Sequence, residues 1–353
     1  MLETNQAVAK DDKGNPIILN AREQKAAMRN QKIVNALGFE VPITTLTTIV
    51  KKISQQKFYE IAPADYLPIR VGEGTWSSNL TTYRSYDIAD VFESGIMNSG
   101  SSNTRLSVSD AAIDALNIRV FNWAKQHGWS IFELEQAAKS GNWDLVTAKE
   151  KTRKRNWDLG IQRVAFVGAR GQNLSNGACF GLLNQAGVTT NTTLITAALN
   201  SLSPTNLSSF QQAIIQAYRV NCNYTAFPTH FVIPESDYNG LVAQASPTYP
   251  MKSILQLLED GFKVITRNNN FKILPLVYAS VANAGSGVLP SAFATQMYAL
   301  YNYDEESIRM DIPLDYTNTL ANSVDNFMFQ NVGYGQFTGA LAYRPAEMLY
   351  LGF

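Results

Sequence analysis

The spacing of apolar and polar positions changes character several times along the chain. Ala21 to Leu37 is polar and helix-favouring, with Met28, Ile33, Val34 and Leu37 as a thin apolar stripe, and Lys51 to Tyr59 is a second amphipathic stretch. So thin a stripe makes a helix marginal alone in water, so residues 1–60 read as an arm that is either disordered or, the preferred reading, packed on something else. From Arg70 to about Gln126 β-formers take over, among them Thr82, Tyr83, Tyr86, Val91 and Phe92. The run breaks at Ser94 to Asn103, where Gly95, Gly100 and four serines surround Ile96 and Met97. That break predicts the tip of a long hairpin. A two-stranded ribbon is not stable by itself in water, so it needs a partner surface.

The pattern then turns helical. Ser130 is an N-cap for Ile131 to Lys139, with Glu133 at the capping-box position and Gly141 as a stop. Asn142 opens a longer helix to about Val167, apolar at its ends (Trp143, Val146; Trp157, Ile161, Val164, Ala165) and charged from Lys149 to Arg155. Greasy ends and a solvated middle suit a helix that spans a surface. Thr193 to Arg309 reads as a separate α/β unit. Ser203–Pro204 starts a helix with Leu207, Phe210, Ile214 and Tyr218 on one face. His230 to Ile233 is a strand, Ser253 to Asp260 a capped helix closed by Gly261, and Phe271 to Val281 and Gln296 to Tyr303 are strands. Met310 to Phe353 is β-rich and ends on packed apolar residues.

Charge sharpens this picture. Only 16% of the 353 residues are charged, 29 bases balance 29 acids, and asparagine alone numbers 30. A free monomer normally keeps more charge on its surface, so much of the outside is expected to lie against neighbours. Two cysteines, Cys179 and Cys222, build neither a disulfide framework nor a zinc site and read as half-buried thiols. Met1 to Pro16 is no signal peptide, and the uncharged run Ile273 to Tyr303 is broken by Pro275, Gly285, Gly287 and Pro290. The expectation is a soluble, non-secreted chain without membrane contact.

Catalytic signals are sparse. His127, before Gly128, reads as a turn residue and His230 as the start of a strand; there is no H-E-x-x-H and no G-x-S-x-G. Gly168, Gly171, Gly177 and Gly181 imitate a phosphate loop, but the spacing is one residue too long and Ala178 stands where the lysine belongs. Asp304, Glu305, Glu306, Asp311 and Asp315 could hold a metal or act as acid and base, which keeps a metal-dependent enzyme as a remote alternative. No cofactor is called for. The sharper feature is basic: Lys149, Lys151, Arg153, Lys154, Arg155 and Arg163 meet only Glu150 and Asp158 in the same helix. Such a stripe can neutralise nucleic-acid phosphates without reading sequence, or form a solvated face paired with the acidic C-terminal region.

The order of arm, hairpin, long helix, inserted α/β unit and closing strands, together with its wording, resembles the major capsid proteins of tailed bacteriophages, the Hong Kong 97-type (Johnson) fold that encapsulins share. The resemblance rests on GWSIFELEQAAKSG (Gly128 to Gly141), AFVGARGQNLSNGACFGLLNQAGV (Ala165 to Val188), HFVIPESDYNGL (His230 to Leu241) and GALAYRPAEMLYL (Gly339 to Leu351). It covers most of the chain from about residue 60. It implies an α+β fold with an N-terminal arm (1–60), an extended β-hairpin loop (66–127), a peripheral domain with a spine helix (128–192 and 310–353) and an axial domain (193–309).

The implied function is not enzymatic. It is self-assembly into hexamers and pentamers of an icosahedral head shell around double-stranded DNA. Lys149, Lys151, Arg153, Lys154 and Arg155 would face the DNA, and Gly95, Ile96, Met97, Asn98, Arg29 and Lys32 would contact neighbouring subunits. Implied partners are a portal, a separate scaffolding protein and, as an optional addition, a decoration protein, with assembly in the host bacterial cytoplasm. No lysine lies between Lys57 and Lys125, so the lysine crosslink that some members form through this loop is not expected. An encapsulin compartment enclosing cargo protein is the alternative.

Overall fold

A computed structural model describes residues 57–88, 110–139, 144–169, 179–242, 252–285, 287–325 and 327–353. The chain divides into two compact units, one of residues 60–129 with 146–353 and one of residues 1–59 with 130–145. Strand β1 (Ile69–Val71) precedes the hairpin of β2 (Asn79–Ile88) and β3 (Asp110–Arg119), then β4 (Phe121–Ser130). Helices α1 (Ile131–Lys139) and α2 (Leu145–Val167) follow. After β5 (Thr189–Asn191) come α3 (Pro204–Asn221), β6 (His230–Pro234), α4 (Glu235–Leu241), α5 (Ile254–Thr266) and β7 (Lys272–Leu276). The one-turn α6 (Val281–Ala284) leads to β8 (Met297–Tyr301), β9 (Ile308–Ile312), β10 (Leu314–Asn318) and β11 (Asn322–Ser323). The chain closes with β12 (Met328–Phe337), β13 (Ala340–Ala342) and β14 (Met348–Gly352).

The cap signals explain where the helices begin. Ser130 Oγ accepts from the Glu133 amide at 3.2 Å, Ser203 from Asn206, and Ser253 and Gln256 form a complete capping box. Gly261 does not close its helix as expected: α5 runs on to Thr266 and buries Phe262 completely. A Cβ at Gly261 would meet Gln211 Oε1 at 2.5 Å, so the glycine lets α3 and α5 approach closely. Its helix-propensity cost, about 1 kcal/mol against alanine, is offset by that packing.

A five-stranded sheet in the order β5-β14-β8-β6-β7 organises the larger unit. Its strands β6, β8 and β14 are buried at every position because both faces are covered, which is why they read as continuous apolar runs. On one face Phe231, Ile233, Tyr298, Leu300, Leu349 and Leu351 pack with α3 and α5. On the other, Val232, Ala299, Tyr301, Met348 and Tyr350 share a core with Trp157, Ile161 and Val164 to Val167 of α2. The C-terminal strand thus lies inside the sheet that β6, β7 and β8 of the 193–309 segment build. Hydrogen-bonding edges, not chain order, decide strand membership.

A second sheet has β12 at its centre, pairing with β10, β11 and β4, and a third has the order β1-β9-β13. The β2–β3 ladder runs for ten pairs from Asn79↔Arg119 to Ile88↔Asp110, and among the described residues it forms a two-stranded sheet of its own. The expected hairpin tip lies outside the described residues, as do Arg29 and Lys32. Of the four glycines that imitate a phosphate loop, Gly171 and Gly177 lie outside the described residues, while Gly168 has φ +73° and a Cβ there would sit 2.1 Å from Cys179 O, a close packing contact. No helix among the described residues is long and apolar enough to cross a membrane.

Candidate functional site: the basic helix and the open hairpin

Helix α2 carries the basic run, and the fold sorts its members. Arg153 is corrected outright: it is 3% exposed and cannot lie on a surface facing DNA. Its guanidinium donates to Tyr316 Oη at 2.7 Å, Asn331 Oδ1 at 2.7 Å, Asn331 O at 3.0 Å and Asn318 Oδ1 at 2.9 Å. Gly333 makes room, since a Cβ there would lie 2.5 Å from Arg153 Nε. Asn331 in turn donates to Glu150 Oε1 at 2.9 Å. Arginine suits this place because its planar fork serves several fixed acceptors at once. The helix middle is therefore a buried staple on one side and solvated on the other.

The remaining bases divide by exposure. Lys151, Lys154 and Arg163 are exposed, Lys149 and Arg155 are half-buried. Lys149 Nζ donates to Gly128 O at 2.8 Å, and Arg155 pairs with Glu60 at 3.1 Å. Acids of the C-terminal region, which the sequence offered as partners of this stripe, pair among the described residues with arginines outside it. Glu305 pairs with Arg70, Glu306 with Arg344 at 2.6 Å, and Asp311 with Arg309 at 3.0 Å. Burial pushes the Asp311 carboxyl up, opposed by Arg309. Among the described residues no group of three His, Cys, Asp or Glu side chains could hold a metal ion. A cleft of about 300 Å3 lies beside α2, lined by Trp123, Trp157, Gly160, Val164 and Phe337, and Arg163 is its one titratable side chain. It offers no acid–base pair.

Both histidines are structural in their surroundings. His127 lies within β4 rather than in a turn, against Trp129 at 5.5 Å, and neither ring nitrogen has a hydrogen-bond partner. Burial and then Arg153 lower its pKa. His230 opens β6 and is stacked on Tyr301 and Tyr303. Cys179 is buried, which pushes its thiol up to about 11 and makes it inert.

The hairpin is the other notable surface. Tyr83 and Ile113 are 71% and 74% exposed, and the register (Tyr83↔Ala115, Ser85↔Ile113) puts them on the same face of the ribbon. Large exposed apolar side chains on a ribbon without a third strand mark a surface built for contact. Sequence reasoning found the ribbon but not these two residues, whose facing depends on register.

A 23-residue helix sharing a core with a five-stranded sheet, together with a ten-pair hairpin, is the combination expected of the Hong Kong 97-type fold. The sequence model described as major capsid protein matches residues 96–352, and the chain belongs to that family. In fold it is similar to the capsid of Myoviridae phage XM1, with TM-score 0.71 and 18% identity over 90% of this chain and 100% of that one. It is also similar to a chain of Mycobacterium phage Ogopogo (TM-score 0.55, 13% identity, 90% of this chain and 99% of that one). The asymmetric unit of the bacteriophage PhiM1 mature capsid gives TM-score 0.53 and 11% identity over 87% and 91%. No curated protein matches the chain significantly. The chain is a capsid shell subunit, a structural protein of the virion, and the encapsulin alternative is not favoured.

Proposed function

We propose that this subunit forms hexamers and pentamers that close into the icosahedral head of a tailed bacteriophage around double-stranded DNA. The observation that carries this reading is the ten-pair hairpin, whose Tyr83 and Ile113 face solvent in the single chain. Residues 66–127 act as the extended loop and 1–60 as the arm, each reaching a neighbour through Gly95, Ile96, Met97 and Asn98, and through Arg29 and Lys32. Residues 128–192 and 310–353 form the peripheral domain and 193–309 the axial domain, with β14 shared between them. Lys151 and Lys154, flanked by Lys149 and Arg155, face the DNA as diffuse counter-charge. A portal, a separate scaffolding protein and an optional decoration protein complete the head, which assembles in the host cytoplasm.

The test is electron microscopy of the chain expressed by itself, with the nucleic-acid absorbance of any particle recorded. Closed shells, or rings of five and six subunits, are expected. A subunit that stays monomeric at micromolar concentration, with and without its scaffolding partner, would overturn the proposal.

A further inference from the structure

An indole stands exposed on a pinned loop. Trp76 is 69% exposed, although its amide donates to Gln336 Oε1 at 2.8 Å and its ring lies 5.9 Å from that of Tyr334. Thr75 Oγ1, next to it, donates to Pro313 O at 2.9 Å. Trp76 has φ +66°, a left-handed conformation that a bulky residue keeps only where its surroundings hold it. We propose that Trp76 is an assembly anchor that inserts into the cleft beside α2 of a second copy of this chain. The proposal rests on the shell-assembly reading and names one pair of surfaces through which copies join.

Size, position and charge select that pairing. The cleft of about 300 Å3 is walled by Trp123, Trp157, Val164 and Phe337, with Gly160 and Arg163 along α2. A cavity of ~150 Å3 holds a benzene ring, so this one has room for a bicyclic indole. The chain's own Trp76 is on the wrong side to fill it. Successive residues of a strand point to opposite faces. Tyr334 and Gln336 of β12 meet Trp76 on one face. On the other, a Cβ at Gly335 would lie 2.6 Å from the Trp157 ring, and Phe337 lines the cleft. Knob and hole thus belong to opposite faces of one sheet, the layout of a head-to-tail contact, which closes rings when repeated. Arg163 is exposed at the cleft, where its guanidinium can cover the indole face. Glu73, three residues before Trp76, holds Arg70 at 2.7 Å and is still 70% exposed, so it brings an opposite charge toward Arg163. Trp and Arg are enriched among the residues that carry most of an interface's energy, and a pinned loop loses little freedom on docking.

Shell formation by the full-length chain tests this, read by sedimentation against protein concentration with electron microscopy of the product. Trp76→Ala removes the knob, and Gly160→Phe fills the hole from α2, where a Cβ meets nothing within 4 Å. Each should keep the wild-type circular dichroism and unfolding midpoint while raising the concentration needed for shells about tenfold or more. The double variant should need no more than Gly160→Phe alone, within about twofold, because both changes break one contact. Effects that multiply would place Trp76 and the cleft in separate contacts and overturn the pairing, as would a wild-type threshold in either single variant. Trp76→Phe, with its smaller ring, should give an intermediate threshold and stands in for Trp76→Ala if that chain does not fold. If the wild-type chain gives no shells by electron microscopy, it is the assembly reading that has failed.

Discussion

The imidazole of His230 lies 4.8 Å from the ring of Tyr303 and 5.7 Å from that of Tyr301, with Thr229 Oγ1 3.0 Å from Nδ1. Burial, and next the charge of Lys272, lower its pKa to about 4 from the ordinary 6.5. Between those values the unfolded chain takes up a proton that the folded chain refuses, so stability rises with pH across this window. The contribution is fully present above pH 6.5 and is lost as pH falls through 4. At ~1.4 kcal/mol per pH unit the loss amounts to about 3 kcal/mol. His127 acts with the same sign, since burial lowers its pKa too. His230→Phe keeps an aromatic ring in the stack and removes the titration. Urea unfolding at pH 7 and pH 5 should show a smaller pH effect in that variant than in the wild type. An equal effect in both would place the acid sensitivity elsewhere.

Arg153 belongs to the scale of elements, because it joins α2 to β10 and β12. Arg153→Met would strand the buried Asn331 carboxamide oxygen and leave the partners on Tyr316 and Asn318 unserved. Each unmet buried polar group costs about 1–3 kcal/mol, so the variant should lose roughly 3 kcal/mol of stability in denaturant unfolding. Arg153→Lys should recover little, since a point charge cannot serve acceptors spread around a fork. Lys154→Gln on the exposed side should change stability by less than about 0.5 kcal/mol. If Arg153→Met proved as mild as Lys154→Gln, the staple would not exist. The contrast also marks what the sequence made legible. Caps at Ser130, Ser203 and Ser253 and the face of Leu207, Phe210, Ile214 and Tyr218 are local signals, and each landed where expected. Arg153 looked like its neighbours because its partners Tyr316 and Asn331 lie 163 and 178 residues away. The same holds for β14, whose place beside β8 depends on a register no local pattern carries, and for Gly261, which reads as a stop until Gln211 is seen against it.

For the whole molecule the sparse charge and the open apolar positions describe one property. A chain with 16% charged residues and no formal net charge repels copies of itself weakly, and Tyr83 and Ile113 add apolar area to one face of the ribbon. These two side chains contribute little to the subunit's own core, so replacing them should separate folding from assembly. Burying a large apolar side chain gains about 1.5–3 kcal/mol. Losing ~2 kcal/mol per subunit contact raises the concentration needed for association about thirtyfold, and a buried aspartate adds its desolvation cost. Tyr83→Asp with Ile113→Asp should therefore give a chain with wild-type circular dichroism and unfolding midpoint that sediments as subunits or small oligomers where the wild type forms shells. The single substitution Ile113→Asp should form shells only at higher protein concentration. Shells from the double variant at the wild-type concentration would mean that the hairpin's outer face is not the contact surface, and the binding energy of the shell would then have to come from the arm and the sheet edges.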